Sequence, residues 1–172
     1  FNQGHYRFGI ASGKQCVANS LVSIIYTTKM NGKECQTQDL DTILILGNEL
    51  YNYIQKDSTM HEDLLMVSEL PKELDILNDT FTIDYNEAVF GIIDGKPEDM
   101  AQYGALSLNQ ALEQELCRHH ACFMNFNQST FAIIKDPTGF LIFDPHGRDK
   151  SGCLSEHGKS ILLHASSWQG IY

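Results

Sequence analysis

Cys16 stands where a polar, glycine-containing stretch gives way to an apolar sequence with helical spacing. A thiol at the start of a helix meets unpaired backbone N–H groups and the positive end of the helix dipole, and both favour the thiolate. Thiolate is the form that attacks a carbonyl carbon, so Cys16 is the candidate nucleophile. The plainer role for a lone cysteine is a small apolar side chain in a core, and position alone does not choose between the two.

A second chemistry-bearing element is Phe140-Leu141-Ile142-Phe143-Asp144-Pro145-His146-Gly147. Strand side chains alternate, so Asp144 and His146 fall on one face while Leu141 and Phe143 fall on the other. A carboxylate two residues from an imidazole can fix its tautomer and stabilise the imidazolium formed when it takes a thiol proton. Pro145 restricts the backbone between them and is expected to end strand pairing there. The plainer reading of Asp-Pro-His-Gly is a polar turn closing a strand. Asp149, just beyond, is a rival acid, although spacing favours Asp144.

Acyl transfer also needs donors for a developing oxyanion. The Cys16 backbone N–H at the helix start is one. Asn2, Gln3 and Gln15 each carry a side-chain amide that could be the second, and each could equally be a surface amide.

Several elements must hold these groups. Val17, Leu21, Ile24 and Ile25 share a face and predict a helix from Cys16 to Thr28, after a loop from Phe1 to Gln15. Leu40, Ile43, Leu44, Leu50, Tyr51 and Ile54 predict a second helix over 40–55, which Gly47 weakens. Thr59-Met60-His61-Glu62 resembles a capping box and predicts a short helix over 60–65. Two strands are expected, over 81–85 and 88–93. Ser107-Leu108-Asn109-Gln110 is a further capping box, opening a helix to about Arg118. Strands then follow over 121–126, 130–135 and 140–144, the last two joined by Asp136-Pro137-Thr138-Gly139 as a type I turn. Helices first and a mainly antiparallel sheet later predict an α+β domain.

The 172 residues suit one domain, and 42% hydrophobic residues can build a substantial core. The chain opens on Phe1 and is read as a single domain, residues 1–172, cut from a larger protein. Apolar runs such as 21–26 and 43–46 fall far short of the roughly 18 residues of a membrane span, so no membrane partner is expected. Five cysteines leave at least one thiol unpaired, which favours a reducing, intracellular setting. With 22 acidic against 12 basic side chains the net charge is −10. That argues against nucleic acid and suits either a basic protein or peptide partner or plain solubility. Cys117, His119, His120 and Cys122 crowd one short segment, but no matching ligand pair occurs elsewhere, so neither a metal nor another cofactor is expected. Serine-hydrolase, phosphate-loop and dinucleotide fingerprints are absent. Trp168 and Tyr172 are expected to pack on the sheet or at an interface.

His146 follows Cys16 by 130 residues, at the lower edge of the papain-type interval, while the papain signature around the cysteine is missing. Asn2-Gln3, thirteen residues before Cys16, then Gly13-Lys14-Gln15-Cys16-Val17-Ala18-Asn19-Ser20-Leu21 and Phe143-Asp144-Pro145-His146, resemble the ubiquitin-specific protease domain of herpesvirus large tegument proteins. The resemblance implies a papain-like fold and a deubiquitinase. Its nucleophile would be Cys16, its base and acid His146 and Asp144, and its oxyanion donor Gln3. It also implies ubiquitin or ubiquitin chains as partner, and a place in cytoplasm, nucleus or virion tegument. Two other readings stay open: a papain-like protease acting on another modifier, and a ubiquitin-binding module without turnover.

Overall fold

A computed structural model describes residues 1–57, 64–85, 88–93 and 96–167. Most of the helix expected over 60–65, together with Trp168 and Tyr172, lies outside the described residues. Helix α1 spans Cys16–Met30, starting on the expected residue and ending where Asn31 turns left-handed at φ 51°. Every residue from Cys16 to Ser23 is buried, polar ones included, so α1 is a central helix rather than an amphipathic surface one. Two of its buried hydroxyls find carbonyls, Ser23 Oγ donating to Ser20 and Ser20 Oγ to Thr130, while the buried Asn19 Oδ1 has no hydrogen-bond partner.

Helix α2, Thr37–Asp57, runs straight through Gly47. A β-carbon at Gly47 would lie 2.8 Å from the Asn19 α-carbon and closer still to Asn19 Oδ1. Glycine therefore stands here to let α2 approach α1, which outweighs its poor helix propensity. We expect Gly47→Ala to lower stability by about 1–2 kcal/mol, since overpacking of this kind exceeds the propensity gained. Calorimetric unfolding checks this; a raised Tm would mean that the helices cross with room to spare.

A short hairpin follows, β1 (Glu73–Ile76) with β2 (Asp79–Thr82). Leu77 and Asn78 both take positive φ, as a two-residue primed turn requires. The strand expected over 81–85 is thus the second arm of this hairpin, shifted towards its turn. Of the strand expected over 88–93 only β3, Gly91–Ile92, forms, paired in parallel with β4, Leu106–Ser107. Helix α3, Leu108–Arg118, opens with the expected capping box: the Gln110 N–H donates to Ser107 Oγ, and the Ser107 N–H to Gln110 Oε1.

The four-stranded antiparallel sheet is a meander of β5 (Ala121–Phe126), β6 (Ser129–Asp136), β7 (Gly139–Arg148) and β8 (Lys159–Ala165). Strand β6 is apolar on both faces because both are covered. Ala132 and Ile134 join Phe143 in the core beneath α1 and α2, while Ile133 packs with Leu112 and Leu116 of α3. Burying one such isoleucine contributes roughly 1.5–3 kcal/mol.

The stretch from Phe1 to Gln15 is not all loop. Tyr6–Ala11 forms 3₁₀ turns kinked at Gly9, with the His5 ring accepting the Arg7 N–H. Ahead of them, residues 1–4 enter a fork in the sheet. Strands β7 and β8 pair regularly as far as Asp144 opposite Ile161, part, and pair again at Arg148 opposite Lys159. Into that opening the chain start inserts: the Ser160 N–H donates to the Phe1 carbonyl, the Gln3 N–H to the Pro145 carbonyl, and Asn2 Nδ2 to the Gly158 carbonyl. Proline at 145 fits because this bulged residue has no ladder bond to donate. The ladder is interrupted there, as the sequence implied, but β7 does not end.

Candidate active site

Three elements converge on one point: the N-terminus of α1, the bulge of β7 and the start of β6. Cys16 opens α1 and is buried, with only 5% of its surface exposed. His146 projects from the bulge with its Nδ1 2.6 Å from Asp144 Oδ1, and the Cys16 thiol lies near enough for each group to shift the other's titration. With Nδ1 engaged by the carboxylate, Nε2 is the ring nitrogen left for proton exchange.

The electrostatics of the pair follow from these contacts. Burial alone would raise the Cys16 pKa, but hydrogen bonds from His146 and from the Thr130 N–H and hydroxyl outweigh it and hold the thiol below its ordinary value. For His146, burial acts downward, yet the hydrogen bonds to Asp144 and Cys16 prevail and push it up to about 9. A thiol lowered and an imidazole raised together favour the thiolate–imidazolium form of the pair. Asp144 is likewise buried, which alone would raise it, but the His146 bonds and Arg148 hold it below the usual carboxylate range. Two partly buried thiols behave oppositely: desolvation with Asp39 raises Cys35 to about 11, and desolvation with Glu115 raises Cys122 to about 12.

This arrangement predicts the reactivity of the thiol. Iodoacetamide is expected to alkylate Cys16 with a shallower fall from about pH 8 to about pH 6 than an ordinary thiol shows, because the lowered thiol keeps more of its thiolate there. In His146→Gln the same rate should fall roughly tenfold per pH unit over that interval, as for a thiol titrating at or above its ordinary value. Mass spectrometry of the labelled peptide reads both; a steep fall in the unaltered chain would overturn the ion pair.

The three amides singled out in the sequence are all bound within the fold, each amide nitrogen to one acceptor. Asn2 spends its amide on the Gly158 carbonyl and its oxygen on the Gly4 N–H. Gln15 is fully buried, bonded to Asn48 Oδ1 and to the Lys14 N–H. Gln3, 3% exposed, has its Nε2 3.4 Å from the Gly13 carbonyl and its Oε1 the same distance from Asn19 Nδ2. One Nε2–H engages Gly13 and the second has no acceptor among the described residues. Asn19, lodged against Gly47, thus fixes which way the Gln3 amide faces.

Asp149 is turned away. Its carboxylate accepts the Ser151 and Cys153 N–H groups of its own loop and makes no contact with His146. Three site neighbours escaped the sequence reading. Arg148 donates from Nε to Asp144 Oδ2 at 2.5 Å, and the period-2 signal that paired 144 with 146 extends to it. Phe131 meets the His146 ring edge-on at 5.8 Å, with the Arg148 guanidinium 5.9 Å from its centre. Thr130 reaches Cys16 only through sheet register, and no local pattern announces it.

A groove of about 1000 Å³ runs away from Cys16 between α1, β2, α3 and β5, with a largely apolar lining that includes Ile24, Phe81, Leu112 and Phe123. Among the described residues no three ligating side chains converge on a metal site, and His119 and His120 occupy the junction between α3 and β5. No described helix is long and apolar enough to cross a membrane.

Comparison with known proteins adds three findings. The family model described as the herpesvirus tegument protein N-terminal conserved region matches residues 1–168. No curated protein sequence matches the chain. Among solved structures, the ubiquitin-specific protease encoded by the murine cytomegalovirus tegument protein M48, in complex with a ubiquitin-based suicide substrate, superposes with a TM-score of 0.75. The alignment covers 98% of this chain and 72% of that one at 13% identity, so the likeness is one of α+β fold.

Proposed function

Because the chain belongs to the family of the herpesvirus tegument protein N-terminal conserved region, we propose that it is a cysteine-type deubiquitinase cutting after the carboxyl-terminal Gly-Gly of ubiquitin. The observation that carries the reading is the Asp144–His146–Cys16 relay, raised in the imidazole and lowered in the thiol, beside the buried Gln3 amide. The fold shared with a viral ubiquitin-specific protease supports the substrate class. Residues 1–172 are read as a single protease domain, and membership of a tegument family supports a place in the virion tegument, with action in cytoplasm or nucleus.

In this reading Cys16 Sγ attacks the Gly carbonyl carbon, and the carbonyl electron pair moves to oxygen, which the Cys16 N–H and Gln3 Nε2 stabilise. As the tetrahedral centre collapses, the C–N bond breaks and His146 gives its Nε2 proton to the departing nitrogen. The neutral imidazole then takes a proton from water, whose oxygen attacks the thioester carbon and releases Cys16 with a ubiquitin carboxylate. Asp144 remains ionised throughout and keeps Nδ1 protonated. The net charge of −10 suits the arginine-rich ubiquitin tail.

Ubiquitin carrying a carboxyl-terminal electrophile tests this directly. One ubiquitin-sized adduct is expected on the intact chain and none on Cys16→Ala. Adducts with a ubiquitin-like modifier in place of ubiquitin would move the substrate class. A folded chain that binds ubiquitin without forming an adduct would favour a binding module.

A further inference from the structure

We infer that Asn19 is a positioning residue for the oxyanion: its amide, buried where α1 meets α2, locks the Gln3 side chain with nitrogen rather than oxygen presented to the reacting centre. This rests on the deubiquitinase reading and deepens it, adding to the site a residue that touches no substrate atom.

A primary amide can face two ways. Turning the Gln3 carboxamide over exchanges oxygen for NH₂ with almost no change of shape, and the reversed form would set a carbonyl where negative charge develops. Gln3 shares a hollow of about 410 Å³ with His146, so the sense of its amide decides what the reacting centre meets there. Two neighbours oppose the turn. Asn19 Nδ2 donates to Gln3 Oε1, and Gln3 Nε2 donates to the Gly13 carbonyl, each at 3.4 Å. Reversed, Gln3 would place NH₂ against NH₂ on the Asn19 side and carbonyl against carbonyl on the Gly13 side. Both bonds are long for N–H···O, so neither is a strong lock alone and the two act together.

Asn19 holds its own orientation at a cost. It follows Cys16 by three residues on the same side of α1 and is 1% exposed, and its Oδ1 has no hydrogen-bond partner among the described residues. Buried acceptors without partners are few in folded proteins, and a duty at a catalytic site is one reason to keep one. Here the orphan oxygen is what remains once the nitrogen is aimed at Gln3. Gly47 of α2 accommodates that oxygen: a β-carbon at Gly47 would collide with Asn19 Oδ1, so the oxygen faces the glycine's Cα–H instead. A reversed Asn19 would press two N–H donors onto that C–H, where nothing accepts them, and would turn its oxygen against Gln3 Oε1. The crossing of α1 and α2 therefore sets the sense of both amides.

Hydrolysis of ubiquitin bearing a small aryl amide, measured beside iodoacetamide alkylation of Cys16, separates this role from packing, because alkylation forms no oxyanion. Asn19→Leu, similar in shape but without an N–H to give, should lower kcat roughly 10–30-fold with KM within about twofold, since the oxyanion exists only beyond the ground state. Alkylation should be unchanged. Asn19→Ala is expected to show the same split and serves if Asn19→Leu does not fold. Gln3→Ala should cost more, about 10²–10³-fold in kcat, the range for losing one oxyanion donor. In that background either Asn19 substitution should add less than about twofold, because no amide is left to orient. Additive losses, or alkylation that falls in step with hydrolysis, overturn the positioning role and make Asn19 a packing residue. A Gln3→Ala chain with kcat unchanged overturns Gln3 as oxyanion donor, and Asn19 with it, while a ubiquitin adduct on the unaltered chain still upholds the deubiquitinase reading. An unaltered chain that neither cuts the aryl amide nor forms that adduct overturns the deubiquitinase reading and everything built on it.

Discussion

His146→Ala is expected to lower ubiquitin hydrolysis by at least about 10³-fold, because one residue supplies three effects at once. In the proposed mechanism it stabilises the thiolate, contributes a positive charge beside it, and donates the proton without which the amine cannot leave. The pH profile separates these roles. With the imidazole raised to about 9 in the folded site, hydrolysis by the unaltered chain should fall as pH rises through that value, since the proton donor is lost. Iodoacetamide alkylation needs no proton donor and should persist above it. Both should fall at acid pH, when the thiolate is protonated below its lowered value. A shared alkaline fall, or none in hydrolysis, would show that His146 is not the acid.

Asp144→Asn is expected to lower kcat by about 10²–10⁴-fold, within the range of other carboxylate-to-amide changes behind a histidine. Here the reason is specific. Asp144 Oδ1 accepts both the His146 backbone N–H and its Nδ1–H, at 2.9 and 2.6 Å, while Oδ2 accepts Arg148 Nε. Asparagine has one acceptor for three donors arriving from two sides. If its oxygen serves His146, its NH₂ faces the Arg148 N–H; if it turns round, the imidazole loses its orienting partner. A second substitution, Arg148→Leu, removes the opposing donor and should recover part of the lost rate in Asp144→Asn while slowing the parent enzyme. A double-mutant cycle in kcat, with a pH profile for each variant, measures the coupling; strict additivity would mean that Arg148 does not act through Asp144.

How far the sequence revealed this depended on the range of the forces involved. The α1 start, the α3 capping box and the last hairpin follow from neighbours a few residues apart, and all were legible. So was the shared face of Asp144 and His146, which needs only alternation. Gly47 was misweighed, as a propensity cost, because its partner Asn19 lies on another helix. The β1 strand went unseen because its turn uses Leu77 at positive φ, where a glycine would have announced it. Thr130 reaches Cys16, and Pro145 accepts Gln3, only through long-range pairing. The partners of the three candidate amides, Asn2 with Gly158, Gln3 with Gly13 and Gln15 with Asn48, were likewise not legible in the sequence.

The insertion of residues 1–4 between β7 and β8 bears on how this molecule acquires reactivity during folding. Asn2 meets Gly158 across 156 residues, and Gln3 meets Pro145 across nearly as many, so the site closes only when these distant segments have found each other. Contacts of such high sequence separation form late, after the entropy of a long loop has been overcome. A partly folded chain, with α1 and the meander in place, would hold the cysteine and histidine but leave Gln3 unanchored. Fraying of β8 in the native state would undo the same bonds, so hydrogen exchange in that strand and loss of hydrolysis should share one opening free energy.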